Sequence, residues 1–469
     1  MKFQSITREK FEAYFYGRSP YVQDFTSESM WFSFQSDDVT LLAVMLLCRI
    51  DNDYNAVILG RDLNRKFRAV HVESSLPTPD ALITALDGCI AKLVDAHVEG
   101  MFPQGDEAPS PFAIFASKVP PRKQNHYLKL LINDPVYFPA RVVMEELAHW
   151  FEDPDGIFIR GLQGNEFNSR LFELYLHAAF YEQDFEIDHS YPQPDYLLMK
   201  RGMCIAVEAV TVAELEAPDG SYKNLDESAL KSLISHIEHE MPFKFHRTLI
   251  KKVRHRPEPA KLAYWELEHT KGHPFVIAIH DYSRNMSMAM SAGALQKYLY
   301  GMEVMDGKVY PIERHEFEGR TIPSNFFGKE VNKHVAAVML VTGATLPKFN
   351  RMGRVAGIRS PTSFAVVDGV RTDFNGNPYP FKAVVEHPAY SEAWHDGITI
   401  FHNPNAINPL DPELFPQVIH CFQSENGFTE YLPPNFMISS ITQMIRFEES
   451  ESEKMWAEMD LLIERHKGE

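Results

Sequence analysis

Between residues 166 and 283 the sequence predicts an order of helices and strands that few folds share. Residues 166–183 carry apolar side chains at helical spacing, which predicts an amphipathic helix. Three short runs rich in β-branched and aromatic residues predict three successive strands, FEIDHS, DYLLMKR and MCIAVEAVTV. Helical spacing returns over residues 226–256, and PFVIAIHDY predicts one further, buried strand. The sequence therefore predicts an αβββαβ core with a mixed central sheet, within an α/β (α+β) chain.

The length of 469 residues exceeds what one ordinary hydrophobic core organises, so we expect two or three domains. A Pro- and Gly-rich stretch at residues 102–125 predicts a long connection. Many Pro and Asn residues predict that much of the segment from 305 to 435 is loop-rich. The predicted units are an N-terminal α+β domain at 1–125, the core with its preceding helix at 139–285, a C-terminal α/β extension at 286–445, and a charged helical tail at 446–469.

Composition excludes several classes of protein. A formal net charge of -18 argues against a general polyanion binder, so any nucleic-acid surface must be local. The four cysteines are far apart in sequence and predict neither a zinc ribbon nor a disulfide framework. The run LLAVMLLC, residues 41–48, is shorter than the roughly 20 residues that a bilayer requires and predicts a buried strand. We therefore expect a cytoplasmic protein without membrane association.

Two carboxylates mark the predicted strands of the core. Asp195 follows a Pro at the head of one strand, and Glu208 lies in the next, with 12 residues between them. A hairpin through the turn KRG would bring both acids to one point, where two hard oxygen ligands suit Mg²⁺ or Mn²⁺. Glu208 interrupts an otherwise apolar strand, so a metal or a protein cation such as Lys200 or Arg201 must compensate its charge. The alternative is that Pro-Asp only opens a turn and Glu208 is a salt-bridged strand residue.

This segment resembles the PD-(D/E)XK nuclease superfamily over about residues 166–283. The resemblance rests on Pro194 and Asp195, then Glu208 followed by Ala209, with Glu173 on the preceding helix. It implies a restriction-endonuclease-like fold and a Mg²⁺ or Mn²⁺ site held by Asp195, Glu208 and the main chain near Ala209, with Glu173 assisting. It also implies hydrolysis of nucleic-acid phosphodiester bonds, with a DNA endonuclease in defence or processing as the favoured activity.

The sequence departs from the superfamily pattern at the position of its lysine, where it has Val210. In the superfamily that lysine orients the attacking water or neutralises charge in the transition state. The following helix could supply the ammonium instead, and it offers Lys244, Lys251 and Lys252, of which we favour Lys252 or Lys244. Alternatively the site is inactive and the domain only binds or regulates. Glu173 also has an alternative role as an ion-pair partner of Arg170.

A local basic segment lies beside the predicted centre. Between residues 244 and 261 there are seven Lys or Arg residues against one acid, Glu258. Such a strip suits a phosphodiester backbone, although a solvated helix face gives the same pattern. The predicted nucleic-acid contacts are Lys244, Arg247, Lys251, Lys252, Arg254 and Arg256.

Other functions find less support in the sequence. VTGATLPKFNRMGRVAG follows a predicted strand but lacks the spacing of a phosphate-binding loop, so no NTPase is predicted. Hydrolysis of a smaller phosphoester remains an alternative to hydrolysis of a polymer. The sequence leaves the oligomeric state open, and a homodimer is compatible with it.

Overall fold

The computed structural model describes residues 1–107, 112–153, 156–213, 227–256, 261–284 and 286–466. The chain is α+β, as the sequence predicts. Residues 108–111 of the predicted connection and Glu258 of the basic segment lie outside the described residues. Within the described part of the chain, no helix combines the length and apolar character needed to cross a bilayer.

The N-terminal unit is a five-stranded antiparallel sheet whose strands follow chain order. Its elements are β1 (Gln4–Ile6), α1 (Arg8–Glu12), α2 (Pro20–Phe25), β2 (Thr26–Gln35), β3 (Thr40–Cys48), β4 (Tyr54–Arg61), β5 (Phe67–Leu76) and α3 (Pro79–Ala96). The predicted strand at 41–48 is β3. Helix α3 begins as its sequence indicates, because the Thr78 hydroxyl accepts a hydrogen bond from the Ala81 N–H and Pro79 occupies the first turn.

After α3, the described residues as far as 182 form four more α-helices: α4 (His126–Asn133), α5 (Phe138–Trp150), α6 (Phe158–Gln163) and α7 (Phe167–Glu182). Helix α5 joins the two parts of the molecule. Its Glu146 pairs with Arg61 of β4 at 2.7 Å, and the ring of Trp150 lies so close to Gly17 that a Cβ there would stand 2.6 Å from it. The N-terminal sheet is therefore docked on the helices of the core.

The predicted core elements are present in the predicted order. They are α7, β6 (Glu186–Asp188), β7 (Tyr196–Lys200), β8 (Met203–Val212), α8 (Glu227–Ser235), α9 (Met241–Val253) and β9 (Phe275–Asp281). A single π-helical turn, His236–Glu240, joins α8 to α9. Strands β6, β7 and β8 form an antiparallel meander, and β9 runs parallel to β8.

The C-terminal part contains more regular structure than its Pro and Asn content predicts. Its elements are α10 (Ala292–Tyr300), β10 (Met302–Met305), β11 (Lys308–Pro311), β12 (Arg314–Phe317), β13 (Arg320–Pro323), β14 (Val335–Val341), α11 (Leu346–Val355), β15 (Ser363–Thr372), β16 (Pro378–Val384), β17 (Ile398–His402), β18 (Ile419–Ser424), β19 (Gly427–Tyr431), β20 (Met437–Arg446) and α12 (Ser452–His466). The prediction of a loop-rich segment at 305–435 is wrong where β15 pairs with β16 and β20 in a three-stranded sheet. The predicted helical tail is α12, and its Trp456 is buried and donates to the Ser360 carbonyl at 3.0 Å.

The central sheet has eight strands in the order β19-β18-β17-β14-β9-β8-β7-β6. It crosses the boundary predicted near residue 285, since β14 pairs in parallel with β9. Alternate residues of β8 face two different apolar clusters, with Ile205 and Val207 toward α5 and α7, and Ala206 and Val210 toward α9 and α10. Both faces of the sheet are thus covered by helices, as its near-continuous apolar strands require.

Candidate metal centre

The hairpin of β7 and β8 brings the two predicted acids together. Tyr196 stands opposite Val207 in this antiparallel pair, so one step back along β7 places Asp195 opposite Glu208. Side chains of directly opposed residues project from the same face of a sheet. The turn between the strands has positive φ at Arg201 and Gly202, 50° and 74°, which is the conformation that a two-residue hairpin loop requires.

Hydrogen bonds confirm that the two acids are adjacent. The Asp195 N–H donates to Glu208 Oε2 at 3.4 Å, and the Ala209 N–H donates to Asp195 Oδ2 at 2.7 Å. The N–H and C=O of one strand residue point to the same side, so the carbonyl of Ala209 also faces the place where β7 begins. Two carboxylates and one main-chain carbonyl therefore converge at this edge.

Glu208 is buried, with 4% of its surface exposed, and its charge is compensated by groups from outside the hairpin. Its Oε1 accepts from the Lys252 ammonium at 2.5 Å and from the Tyr264 hydroxyl at 2.8 Å. The prediction that Lys200 compensates the charge of Glu208 is wrong, because the Lys200 ammonium donates instead to the carbonyls of Gln183 and Leu414.

Helix α9 supplies the cation that the strand lacks. Val210, two residues after Glu208 on β8, is buried in the apolar cluster that α9 covers. Lys252 lies on α9 and reaches Glu208 from that same face. Lys244 pairs with Glu240 at 3.2 Å instead. It precedes Lys252 by eight residues, or roughly 12 Å along the helix axis, so the structure brings only Lys252 of these two to the acids.

Glu173 lies near the pair but its carboxylate is held elsewhere. Arg170 donates to Glu173 at 2.9 Å and also to Glu166 at 2.8 Å, so the ion-pair role that the sequence allowed is present. Burial raises the pKa of Glu173 to about 7, against the pull of Arg170, and the charges of Glu166 and Glu208 raise it further. The carboxylates of Glu173 and Glu208 are thus close enough to repel each other.

The carboxylate of Asp195 lies close to two other carboxylates and to one ammonium. Loss of surrounding water and the charges of Glu208 and Glu173 raise its pKa well above the ordinary value, while Lys252 opposes the rise. The Asp195 residue is exposed at the surface, where the charges of the two neighbouring carboxylates act on it. A crowded group of acids with an accessible member is an environment that a divalent cation would relieve.

The donor set fits a magnesium ion. Mg²⁺ takes oxygen ligands, often one or two carboxylates, and keeps several waters. Asp195, Glu208 and the Ala209 carbonyl supply such ligands, whereas Glu173 is turned to Arg170. Among the described residues, the groups of three His, Cys, Asp or Glu side chains with ligand atoms within 4.8 Å of one another lie elsewhere, in the N-terminal unit: His71, Glu73 and Cys89, and Cys48, Asp51 and Asp53.

The basic segment on α9 divides into engaged and exposed cations. Lys244 is paired, and Arg256 donates to the carbonyls of Val253 and His255. Three other predicted nucleic-acid contacts are exposed: Arg247, Lys251 and Arg254. They are spaced four and three residues apart, so they lie on one helix face.

Sequence reasoning missed Tyr264. It belongs to a short 3₁₀ helix between α9 and β9, stacks on Phe275 at 5.4 Å and donates to Glu208. The charge of Glu208 raises the pKa of the hydroxyl, after burial as the first cause, which keeps it a donor. The only signal in the sequence is the aromatic pair in AYWE, which does not reveal which strand residue it contacts.

The remaining sequence features have structural roles. Asp281, the last residue of β9, accepts from the Ser283 N–H at 2.9 Å in a local turn. The loop after β14 leads into α11, whose Lys348 is buried against Glu392 at 2.7 Å. Comparison of the chain with protein-family models, with curated proteins and with solved structures gave no match.

Proposed function

We propose that this chain is a metal-dependent nuclease that hydrolyses phosphodiester bonds of nucleic acid, with DNA as the favoured substrate. The observation that carries the proposal is the convergence of Asp195 and Glu208, with Lys252 on Glu208. An acidic pair, one of its members accessible, beside an ammonium is the set of groups that phosphodiester hydrolysis uses. The order and pairing of α7, β6–β9 and α9 support the same reading by resemblance to the PD-(D/E)XK superfamily.

Each residue of the centre has its own role in the proposed hydrolysis. Asp195, Glu208 and the Ala209 carbonyl would hold Mg²⁺ or Mn²⁺, which when bound polarises the phosphoryl oxygen and lowers the pKa of a water. The Lys252 ammonium lies next to Glu208, where it can donate a hydrogen bond that orients the attacking water or that offsets negative charge on a phosphate oxygen. Tyr264 fixes the carboxylate of Glu208 from the other side.

The surface beside the centre suits a polyanion. The net charge of -18 repels nucleic acid at long range, so docking requires a local positive surface. The exposed stripe of Arg247, Lys251 and Arg254 along α9 and its C-cap offers one, on a face about 100° or more round the helix from Lys252. The four cysteines, all free, suit a reducing cytoplasm, where defence against or processing of nucleic acid would take place.

One observation favours a second candidate, a nuclease-fold protein that binds nucleic acid without cleaving it. Lys252 and Tyr264 already satisfy one oxygen of Glu208, so the buried carboxylate has its charge compensated without a metal. In that case the basic stripe would bind the backbone and the acids would serve the fold alone.

Cleavage of supercoiled plasmid in Mg²⁺ or Mn²⁺ separates the two candidates. The nuclease predicts nicking that EDTA abolishes and that both Asp195→Asn and Glu208→Gln remove. Glu330→Gln, an 87% exposed side chain far along the sequence, is the matched control and should cleave like the wild type. Binding without cleavage supports the second candidate, and turnover of nucleotides alone would indicate a small phosphoester as substrate.

A further inference from the structure

A stacked aromatic pair links the loop that carries Asp195 to the segment between Tyr264 and β9. The rings of Tyr191 and His269 are parallel within 9°, with centroids 3.8 Å apart. His269 covers one face of the tyrosine ring, yet Tyr191 remains 42% exposed. The opposite face of the tyrosine ring is therefore open to solvent.

One hydrogen bond and one short stretch of chain connect this pair to the groups that position the two acids. His269 Nε2 donates to the carbonyl of Gln193 at 2.7 Å, two residues before Asp195. His269 also follows Tyr264 by five residues, and the Tyr264 hydroxyl donates to Glu208 at 2.8 Å. The aromatic surface is thus anchored to the segments that position both carboxylates.

A flat, anchored ring beside a phosphodiester-cleaving centre suits a nucleobase whose face is not already stacked. In a duplex the faces of the bases cover one another, so only an unpaired or flipped base can lie on Tyr191. Every base has such a face, and stacking of this kind tolerates different sequences.

We propose that Tyr191, backed by His269, stacks on an unpaired base of the strand whose phosphate meets Asp195 and Glu208. The preferred substrate is then single-stranded or locally unpaired nucleic acid. This inference rests on the proposed nuclease function, and it adds the class of substrate.

The test measures binding and cleavage separately on the full-length chain. Binding of fluorescein-labelled dT30 and of a 30-base-pair duplex is followed by anisotropy in EDTA, and cleavage of both is followed in Mn²⁺. Tyr191→Ala should weaken dT30 binding roughly ten-fold or more, with duplex binding unchanged within about two-fold. Tyr191→Phe keeps the ring and should bind dT30 like the wild type. Tyr431→Ala removes a 56% exposed tyrosine on β19 and serves as the control.

Two results would overturn the inference while leaving the nuclease proposal intact. One is cleavage by a Tyr191→Ala variant that binds dT30 as tightly as the wild type. The other is an equal loss of binding to single strand and duplex. Absence of cleavage in the wild type, with the Tyr191→Ala defect on dT30 still present, would instead remove the nuclease proposal and keep the stacking surface. Absence of dT30 binding by the wild type overturns the inference.

Discussion

At the scale of single residues, Glu208 determines the chemistry of the centre. A carboxylate with 4% exposure on an apolar strand requires compensation, and Lys252 and Tyr264 supply it at one oxygen. The other oxygen faces Asp195, whose N–H donates to it at 3.4 Å. The residue therefore presents one side to a protein cation and the other to the accessible edge of the hairpin.

Replacing Lys252 with Met tests whether the ammonium acts in catalysis. We expect metal-dependent cleavage to fall by roughly 100-fold or more, because the group beside the attacking water is lost. Binding of Mn²⁺, measured by calorimetry, should persist because Lys252 is not a metal ligand. Lys454→Met on α12, where the side chain is 72% exposed, is the control and should keep wild-type cleavage. Wild-type cleavage by Lys252→Met would show that another group orients the water.

Proton release should accompany metal binding at this centre. The pKa of Glu173 is raised to about 7 by burial, and the pKa of Asp195 is raised by loss of water and by the two neighbouring acids. Since a ligating carboxylate must be ionised and the pKa of Asp195 is raised well above its ordinary value, affinity for Mn²⁺ should rise with pH over the range in which Asp195 ionises. Calorimetric titrations at pH 6, 7 and 8 measure this rise.

The variant Glu173→Gln separates a neighbouring charge from a metal ligand. Removal of one negative charge makes ionisation of Asp195 easier, so the pH profile of Mn²⁺ affinity should shift to lower pH. The plateau affinity should stay within a few-fold, because Arg170 holds the Glu173 carboxylate. A large loss of plateau affinity would make Glu173 a direct ligand, and an unmoved profile would exclude electrostatic coupling.

At the scale of elements, the sequence predicts what periodicity and local turn chemistry encode. The αβββαβ order follows from apolar spacing, and the adjacency of Asp195 and Glu208 follows from a two-residue turn at Arg201 and Gly202. The partners of Glu208 do not follow, because Lys252 and Tyr264 lie 44 and 56 residues away. Local patterns carry no information on such contacts.

Helix α11 shows why other elements escape sequence reasoning. Its buried face carries Lys348 and Arg351, so it lacks an ordinary apolar stripe. Both cations bind Glu392, which lies 44 and 41 residues further along the chain. The three-stranded sheet was missed for a related reason, since Ser363 of β15 pairs with Arg446 of β20 across the whole intervening segment.

Neutralising Glu392 should destabilise this part of the molecule strongly. Its carboxylate is fully buried between Lys348 and Arg351 and accepts from the Tyr390 hydroxyl at 2.6 Å. Glu392→Gln leaves two buried cations without their counter-ion, which costs about 3–5 kcal/mol of unfolding free energy. Urea unfolding measures the loss. Glu330→Gln, which breaks an exposed pair with Lys333, should change stability by less than about 1 kcal/mol. Equal effects of the two substitutions would contradict the view that burial sets the strength of the network.

At the scale of the whole molecule, the eight-stranded sheet connects segments that the sequence assigns to different units. Strand β14 pairs with β9 in parallel, and β17 to β19 extend the sheet beyond the core. Packing around this sheet buries several histidines. Burial, as the first cause, lowers the pKa of His149 to about 4 and those of His177 and His280 to about 3. These histidines are neutral in the folded protein, whereas the unfolded chain protonates them at mildly acidic pH. Acid should therefore destabilise the folded molecule.

His177 provides the sharpest measurement of this effect, since it packs among Phe151, Tyr181 and His189 and neither ring nitrogen has a hydrogen-bond partner among the described residues. Burial, and then the charges of His189 and Lys66, lower its pKa to about 3. The unfolded chain, with an ordinary histidine pKa of about 6.5, binds more protons between those values, so stability falls as pH drops below about 6.5. From pH 8 to pH 5 the protonation of this group alone should lower the free energy of unfolding by about 2 kcal/mol.

We expect His177→Phe, which fits the aromatic surroundings, to reduce the loss of unfolding free energy between these pH values by that amount, as measured by urea unfolding. The exposed control His126→Gln should follow the wild type. Identical losses in His177→Phe and wild type would mean that His177 is already protonated at pH 5 in the folded protein, which its burial opposes.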